Sequence, residues 1–123
     1  MKIILASKNQ DKIKEIGKIL NHSSRTLVTC NDIDIPEVEE TGSTFVENAI
    51  LKARSASLST GLPAIADDSG IEVDYLNAEP GGKSARYSGE NATNESNNLK
   101  LLGALNGVSF KDRKACYRCV IVI

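Results

Sequence analysis

The chain has 123 residues, one histidine, three cysteines and a formal net charge of −1, and this length fits one domain with its own hydrophobic core. The charge excludes the basic field of proteins that bind nucleic acid non-specifically, and no apolar run approaches the roughly 20 residues that cross a bilayer. We expect one domain over residues 1–123, in the reducing cytoplasm, with neither a nucleic acid nor a membrane as partner.

The chain opens with alternating strand and helix patterns. The apolar run 2–5 predicts a strand, and a polar loop leads from it to Ile13 and Ile16, which have helical spacing. Residues 26–30 predict a second strand. The acidic connection 31–43 contains a proline and a glycine, which exclude a long regular element there.

The clearest predicted helix follows that connection. Thr44 and Glu47 form a T-x-x-E capping box, and Gly61 marks the end of the helical pattern. Lys52 lies off the apolar face, so its ammonium can reach a neighbouring cleft or solvent. The face predicted to be apolar consists of Val46, Ala49, Ile50 and Ala53.

The segment IADDSG, residues 65–70, places two adjacent carboxylates, Asp67 and Asp68, between apolar residues and a glycine. We expect residues 63–66 to form a strand, the DDSG segment a turn, and residues 71–76 another strand. Such an acidic pair is costly unless solvent, a cation or hydrogen bonds compensate its charge. Three interpretations stay open: a solvated turn, a metal site or a general base.

The remaining chain predicts a loop, a helix and a strand. Residues 77–92 lack periodicity and carry Lys83 and Arg86 among glycines, which is typical of functional or disordered loops. Thr93 can cap a helix whose core-facing leucines are expected to be Leu99, Leu102 and Leu105. Residues 115–123 predict a strand with a bare apolar end, which indicates that the sequence is cut short.

The order of these elements favours an α/β fold with a mixed, twisted sheet flanked by helices. Cys116 and Cys119 are three apart in a strand pattern, so they point to opposite faces and cannot share a metal ion. His22 follows the first helix, and we expect it to solvate that helix end.

Residues 7–12, SKNQDK, follow a strand and open a helix, where unpaired backbone N–H groups and the helix dipole attract an anion. Ser7 and Asn9 can cap this helix or donate to a ligand, and Lys8 and Lys12 add positive charge. An ordinary capped helix start explains the same residues.

Carboxylates cluster in residues 37–40 and at Asp67 and Asp68. Mg²⁺ takes one or two protein carboxylates together with substrate phosphates, and it would offset the repulsion within the acidic pair. A solvated acidic face is the alternative. With the helix start at residues 7–12 and the basic loop, the pattern indicates metal-assisted chemistry on a phosphate ester or anhydride, and it leaves the substrate open.

Four ordered motifs resemble one family of enzymes. They are LASKNQDKIKEI, EETGSTFVENAILKA, PAIADDSGIEVDYL and SARYSGENAT. Together they are similar to the inosine triphosphate pyrophosphatase family, from residue 3 to about residue 105. The resemblance implies Mg²⁺-dependent hydrolysis of inosine, xanthosine or deoxyinosine triphosphate to the monophosphate and pyrophosphate, in a two-lobed α/β homodimer with an active-site cleft.

The resemblance also implies residue roles. Asp68 would orient or deprotonate the attacking water and bind the metal with Glu40, and Lys52 would neutralise charge on the triphosphate. With the basic residues of the two loops, the predicted substrate-binding set is Ser7, Lys8, Asn9, Lys12, Ser69 and Arg86.

The family's GYDP and SHR segments, which resemble base-recognition and phosphate-contacting elements, do not occur in these residues. Purine discrimination needs hydrogen-bonding groups at the base edge. Two hypotheses therefore stand: a nucleoside triphosphate pyrophosphatase, or a catalytically impaired remnant that still binds nucleotide or dimerises. A metal-dependent phosphatase for another nucleotide is a third alternative.

Overall fold

The computed structural model describes residues 1–20 and 24–123. The predicted role of His22 lies outside these residues. The described strands are β1 (Lys2–Leu5), β2 (Thr26–Val28), β3 (Ala64–Val73), β4 (Glu79–Pro80) and β5 (Ala115–Val122). The described α-helices are α1 (Gln10–Leu20), α2 (Phe45–Thr60) and α3 (Asn94–Ala104).

The chain divides into two compact units. The first consists of Met1–Asp68 with Val120–Ile123, and the second of Ser69–Cys119. The expectation of a single domain over residues 1–123 stays a prediction. The prediction of a mixed sheet with flanking helices is confirmed, because β1 pairs in parallel with β2 and β3, while β3 pairs with β4 in antiparallel fashion.

In the first unit, successive residues of β1 and β3 point to opposite faces of the sheet. One face carries Ile3, Leu5 and Ile65, and α1 covers it with Ile13 and Ile16. The other face is lined by smaller side chains, and α2 packs there through Ala53 and Ala56; its buried sheet residues are Ile4, Ala6, Ala64 and Ala66. Among its described residues, the first unit thus has two hydrophobic clusters, one on each side of its strands.

Helix α2 begins and ends as predicted. Thr44 is its N-cap with the reciprocal capping box to Glu47, and Gly61 closes it at a φ of 69°, in the left-handed region that favours glycine. The predicted apolar face is wrong in part, because Val46 and Ile50 are exposed. The packed face is rotated toward small side chains, which allow α2 to approach the sheet closely: Ala49, Ala53 and Ala56.

The turn predicted at the DDSG segment does not form. Strand β3 continues for ten residues through both aspartates, and the predicted separate strand 71–76 is its last part followed by a 3₁₀ helix, Asp74–Leu76. The physical reason is that lysines from the flanking helices meet the carboxylates, so the charges need no solvated turn. Gly70 has a different role, because a Cβ there would lie 2.1 Å from the carbonyl oxygen of Gly81.

Residues 77–92 of the second unit, which were predicted to form a loop, contain regular secondary structure. Strand β4 and a 3₁₀ helix, Gly81–Arg86, form there, held in part by the Ser84 hydroxyl, which donates to the Gly81 carbonyl. Thr93 caps α3 as predicted. Of the three leucines predicted to face the core, Leu105 is buried, whereas the prediction is wrong for Leu99 and Leu102, which are exposed.

No helix within the described ranges is both long enough and apolar enough to cross a membrane. Strand β5 forms as predicted, and Cys116 and Cys119 are exposed, free thiols within it.

Candidate functional site

Strand β3 separates the two adjacent aspartates. Asp67 continues the row of Ile65 toward α1, and Asp68 continues the row of Ala66 toward α2, because side chains alternate along a strand. Both residues are buried, with 3 % and 5 % of their surface exposed. Each carboxylate forms an ion pair with a lysine from a different helix, Asp67 with Lys12 and Asp68 with Lys52.

On the α2 side, Lys52 lies between two carboxylates. Its Nζ is 3.5 Å from Oε1 of Glu40 and 3.7 Å from Oδ1 of Asp68. The two carboxylate oxygens are therefore no more than about 7 Å apart. The three side chains are largely shielded from solvent, with 20 %, 24 % and 7 % exposure for lysine, glutamate and aspartate. The structure thus brings together the predicted metal ligands and the predicted catalytic lysine.

The segment that carries Glu40 is fixed by a residue that the sequence analysis did not single out. Asn48 is buried on α2, and its Oδ1 accepts a hydrogen bond of 2.7 Å from the backbone N–H of Gly42. A Cβ at Gly42 would come within 2.6 Å of that oxygen, so the glycine permits the contact. In the sequence, the only indication of this role is that polar Asn48 stands next to the apolar Ala49.

On the α1 side, Lys12 and Asp67 form an ion pair with a 2.5 Å separation of Nζ and Oδ2. Asn9 caps this helix, since its Oδ1 accepts from the backbone N–H groups of Asp11 and Lys12 at 3.0 and 3.2 Å. Ser7 in turn accepts from the backbone N–H of Asn9 through its hydroxyl oxygen. The first residues of α1 are therefore ordered by local contacts, and the capping that the sequence offered as an alternative is present.

Lys8 lies in the same loop but has a different partner. Its Nζ donates to Oε1 of Glu37 at 2.6 Å, and both side chains are exposed. The hydrogen bond from Lys8 holds the pKa of the Glu37 carboxyl below its ordinary value, and the same bond raises the pKa of Lys8. Because the pair faces solvent, salt and competing anions can weaken it.

Two predicted substrate-binding residues belong to the second unit. Ser69 is half-buried in β3, directly after Asp68 in the chain. Arg86 is exposed at the end of the 3₁₀ helix Gly81–Arg86. Their roles toward the substrate stay predictions, as do those of Ser7, Lys8, Asn9 and Lys12.

Among residues 1–20 and 24–123, no three His, Cys, Asp or Glu side chains form a metal-binding group. The pair Glu40 and Asp68 nevertheless fits a hard divalent cation. Carboxylate oxygens are the preferred ligands of Mg²⁺, which commonly takes one or two from the protein and completes its shell with water and substrate phosphates.

The sequence and fold of this chain can be compared with those of known proteins. A family model described as the Ham1 family matches residues 3–123, nearly the whole chain. The chain belongs to the Ham1 family. The family resemblance predicted from the sequence motifs is confirmed.

Curated relatives of this Ham1 chain carry the name dITP/XTP pyrophosphatase. The protein from Thioalkalivibrio sulfidiphilus is 54 % identical over 122 residues, which is 99 % of this chain and 62 % of that protein. The protein from Geobacter sulfurreducens is 50 % identical over 123 residues, again 62 % of its length. The chain therefore spans about three fifths of the length of these relatives.

Solved Ham1 structures agree with this fold. A HAM1 protein from Coxiella burnetii is 46 % identical, with a TM-score of 0.88 over 98 % of this chain and 61 % of that chain. The Ham1 protein of Staphylococcus aureus, also 46 % identical, gives a TM-score of 0.83 over 98 % of this chain and 62 % of that chain.

Proposed function

We propose that this Ham1 chain carries the catalytic part of a pyrophosphatase that hydrolyses inosine, xanthosine and deoxyinosine triphosphates to the monophosphate and pyrophosphate. The observation that carries the proposal is the placement of Lys52 between Glu40 and Asp68 in a largely shielded cluster. The names of the curated relatives supply the substrate class. The reaction would remove unusual purine nucleotides from the cell's pools.

The polyphosphate would be held at the start of α1. Because Asn9 already accepts from the N–H groups of Asp11 and Lys12, the attraction for an anion there comes from the dipole of the helix and from the nearby lysines. The Nζ of Lys12 can contact the phosphates from the same turn, and Ser7, Lys8 and Asn9 line the preceding loop. Ser69 and Arg86 complete the proposed substrate-binding set.

Asp68 would act on the attacking water. In the proposed reaction the water oxygen forms a bond to the α-phosphorus, the bond from that phosphorus to the bridging oxygen breaks, and pyrophosphate leaves. Asp68 orients the water and takes its proton at a carboxylate oxygen, and Lys52 stabilises the negative charge that spreads over the phosphate oxygens.

Glu40 and Asp68 would hold Mg²⁺. When bound, the ion supplies charge neutralisation at the phosphates and polarises water. The residues of the chain itself provide the two oxygen donors, and Lys52 keeps both of them in place. The proposal includes a cytoplasmic location, where these nucleotides are made and used, and a homodimeric assembly, which follows from the family resemblance.

The test is release of pyrophosphate from inosine triphosphate with Mg²⁺, comparing the chain with Asp68→Asn. We expect the variant to lower kcat by roughly 10²- to 10⁴-fold, because a positioned general base contributes about that much. The matched control is Asp74→Asn, which makes the same chemical change at an exposed residue. Tight triphosphate binding without turnover in the unmutated chain would instead establish the non-catalytic alternative.

A further inference from the structure

We propose that Asp67 is a positioning residue that acts through Lys12: it holds the lysine ammonium at the start of α1, where the polyphosphate of the proposed substrate binds. This inference rests on the proposed function and adds a residue to it. From the sequence, Asp67 is interpreted as the carboxylate that supports Asp68, whereas the geometry gives it a separate task.

The contact between Asp67 and Lys12 is short, and the aspartate side chain is more deeply buried than the lysine side chain. Asp67 Oδ2 lies 2.5 Å from Lys12 Nζ, with 5 % of the aspartate side chain exposed and 31 % of the lysine side chain. The carboxylate is thus inside the first unit, while part of the lysine remains accessible to a ligand. An ammonium has three donor hydrogens, so the contact to Asp67 does not by itself exclude a contact with phosphate oxygens.

Asp67 also lies on the other face of the sheet from the cluster of Glu40, Lys52 and Asp68. Neighbouring residues of a strand point in opposite directions, and each aspartate meets a lysine from a different helix. This separation argues against a role for Asp67 as a third metal ligand. Its contact with Lys12 is then the route by which it acts on the substrate.

A fixed lysine binds an anion better than a mobile one. Lysine has four rotatable side-chain bonds, and ordering them on ligand binding costs conformational entropy. The buried carboxylate orders the side chain in advance and, together with the Asn9 cap, sets its place relative to the first turn of α1. Preorganisation of this kind strengthens ligand binding without adding a contact.

A purely electrostatic effect would have the opposite sign. Removing a negative charge near an anion site lowers the repulsion of the ligand, so loss of Asp67 would strengthen phosphate binding. If Asp67 positions Lys12, its loss weakens binding despite the more favourable net charge. The sign of the change separates the two explanations.

The experiment measures binding of inorganic tripolyphosphate by calorimetry without divalent metal, so that hydrolysis and the metal site do not contribute. We expect Asp67→Asn to weaken binding about tenfold and Asp67→Glu to weaken it severalfold at constant charge, since its carboxylate is displaced by one methylene. The control, Asp11→Asn, removes an exposed charge from the same helix end and is expected to leave binding equal or tighter.

A double variant isolates the route through Lys12. Lys12→Met should weaken tripolyphosphate binding, and Asp67→Asn added to it should weaken the binding no further, because the residue to be positioned is gone. If Asp67→Asn is poorly folded, Asp67→Glu carries the same test with the charge retained. Melting temperatures identify general destabilisation, which does not by itself change affinity per folded molecule.

The outcomes separate this inference from the proposed function. Equal or tighter binding by folded Asp67→Asn or Asp67→Glu overturns the positioning role, as does failure of a catalytically active unmutated chain to bind tripolyphosphate. An unmutated chain that binds tripolyphosphate but releases no pyrophosphate overturns the proposed hydrolysis alone. Failure in both assays overturns both.

Discussion

Each side of β3 carries one of the two aspartates, and the ion pairs around the two aspartates differ. On the α1 side one lysine, Lys12, meets one carboxylate, Asp67. On the α2 side one lysine, Lys52, lies within 4 Å of two carboxylates, Glu40 and Asp68. The charges of the named groups thus balance on the first side and leave an excess of one negative charge on the second.

This difference indicates different tasks for the two sides. A balanced pair with a partly exposed ammonium is suited to hold an anion, because a buried carboxylate holds the lysine while part of its side chain stays accessible. Two carboxylates around one ammonium attract a further cation, and their oxygens are suited to Mg²⁺. Adjacent aspartates in sequence therefore need not share a site, and β3 uses alternation to supply two environments.

The largest expected effect comes from removing either lysine. Lys12→Met removes the cation paired with buried Asp67, and Lys52→Met removes the ammonium that lies between Glu40 and Asp68. Each change is expected to lower the free energy of unfolding by about 3 kcal/mol, because breaking one side of a buried ion pair exposes the cost of the remaining charge. Urea unfolding of both variants measures the loss.

Adding Mg²⁺ to the same unfolding experiments sharpens the comparison. Mg²⁺ should recover part of the lost stability of Lys52→Met, since a ligand that binds only the folded state stabilises it by mass action. It should recover little in Lys12→Met, where a single carboxylate remains. Equal recovery in both variants would show that the two sides do not differ in their affinity for a cation.

An intermediate effect is expected at Gly70, which allows β3 to continue beyond the aspartates. A Cβ at this position would lie 2.1 Å from the Gly81 carbonyl oxygen and 2.7 Å from the Ser84 hydroxyl. Gly70→Ala should therefore lower the free energy of unfolding by roughly 1–3 kcal/mol, the usual cost of overpacking. Differential scanning calorimetry or urea unfolding measures it.

The control for that substitution is Gly82→Ala, where an added Cβ meets nothing within 4 Å. We expect it to change the stability little. An equally small effect of Gly70→Ala would show that the close approach of Gly81 does not require glycine at this position. The explanation given for the continuation of β3 beyond the aspartates would then be wrong.

Much of this molecule could be predicted because the signals are local. The capping boxes at Thr44 and Thr93, the closing Gly61 and the apolar strand 2–5 depend on neighbours within a few residues. The family motifs also identified Glu40, Lys52 and Asp68 together, and the structure brings these three side chains to one cluster. Their catalytic roles stay predictions.

The errors arise where distant residues decide the local structure. The DDSG segment has turn-forming residues, but Lys12 lies 55 residues from Asp67 in the chain, and no local rule includes that contact. Similarly, periodicity alone gave α2 an apolar face with Val46 and Ile50, whereas packing selects the smaller alanines. Tertiary contacts override local preference in both cases.

The smallest expected effect concerns the start of α2, the helix that brings Lys52 to its side of β3. Glu47 accepts hydrogen bonds from the Ser43 hydroxyl at 2.9 Å and from the backbone N–H groups of Ser43 and Thr44 at 2.7 and 3.1 Å. These bonds, led by that of the Ser43 hydroxyl, hold the pKa of Glu47 below its usual value of 4.5. The ionised carboxylate therefore stabilises the folded chain.

The sign of the pH dependence follows from that lowered pKa. The contribution of Glu47 is fully present above the unfolded value of 4.5 and is lost as the pH falls through the lower pKa of the folded state. Glu47→Gln should thus be less stable than the unmutated chain near neutral pH, and the difference should narrow at pH values below 4.5. Urea midpoints measured across this range test it.

Hydrogen exchange can locate this small effect on one side of β3. Glu47→Gln should speed exchange in the first turn of α2 and leave the first turn of α1 unchanged, because the capping contacts of α1 come from Ser7 and Asn9. Glu39→Gln, an exposed glutamate before the helix, controls for loss of charge. Faster exchange in both helices would show that the starts of α1 and α2 are coupled. This result would contradict the assignment of independent roles to Asp67 and Asp68.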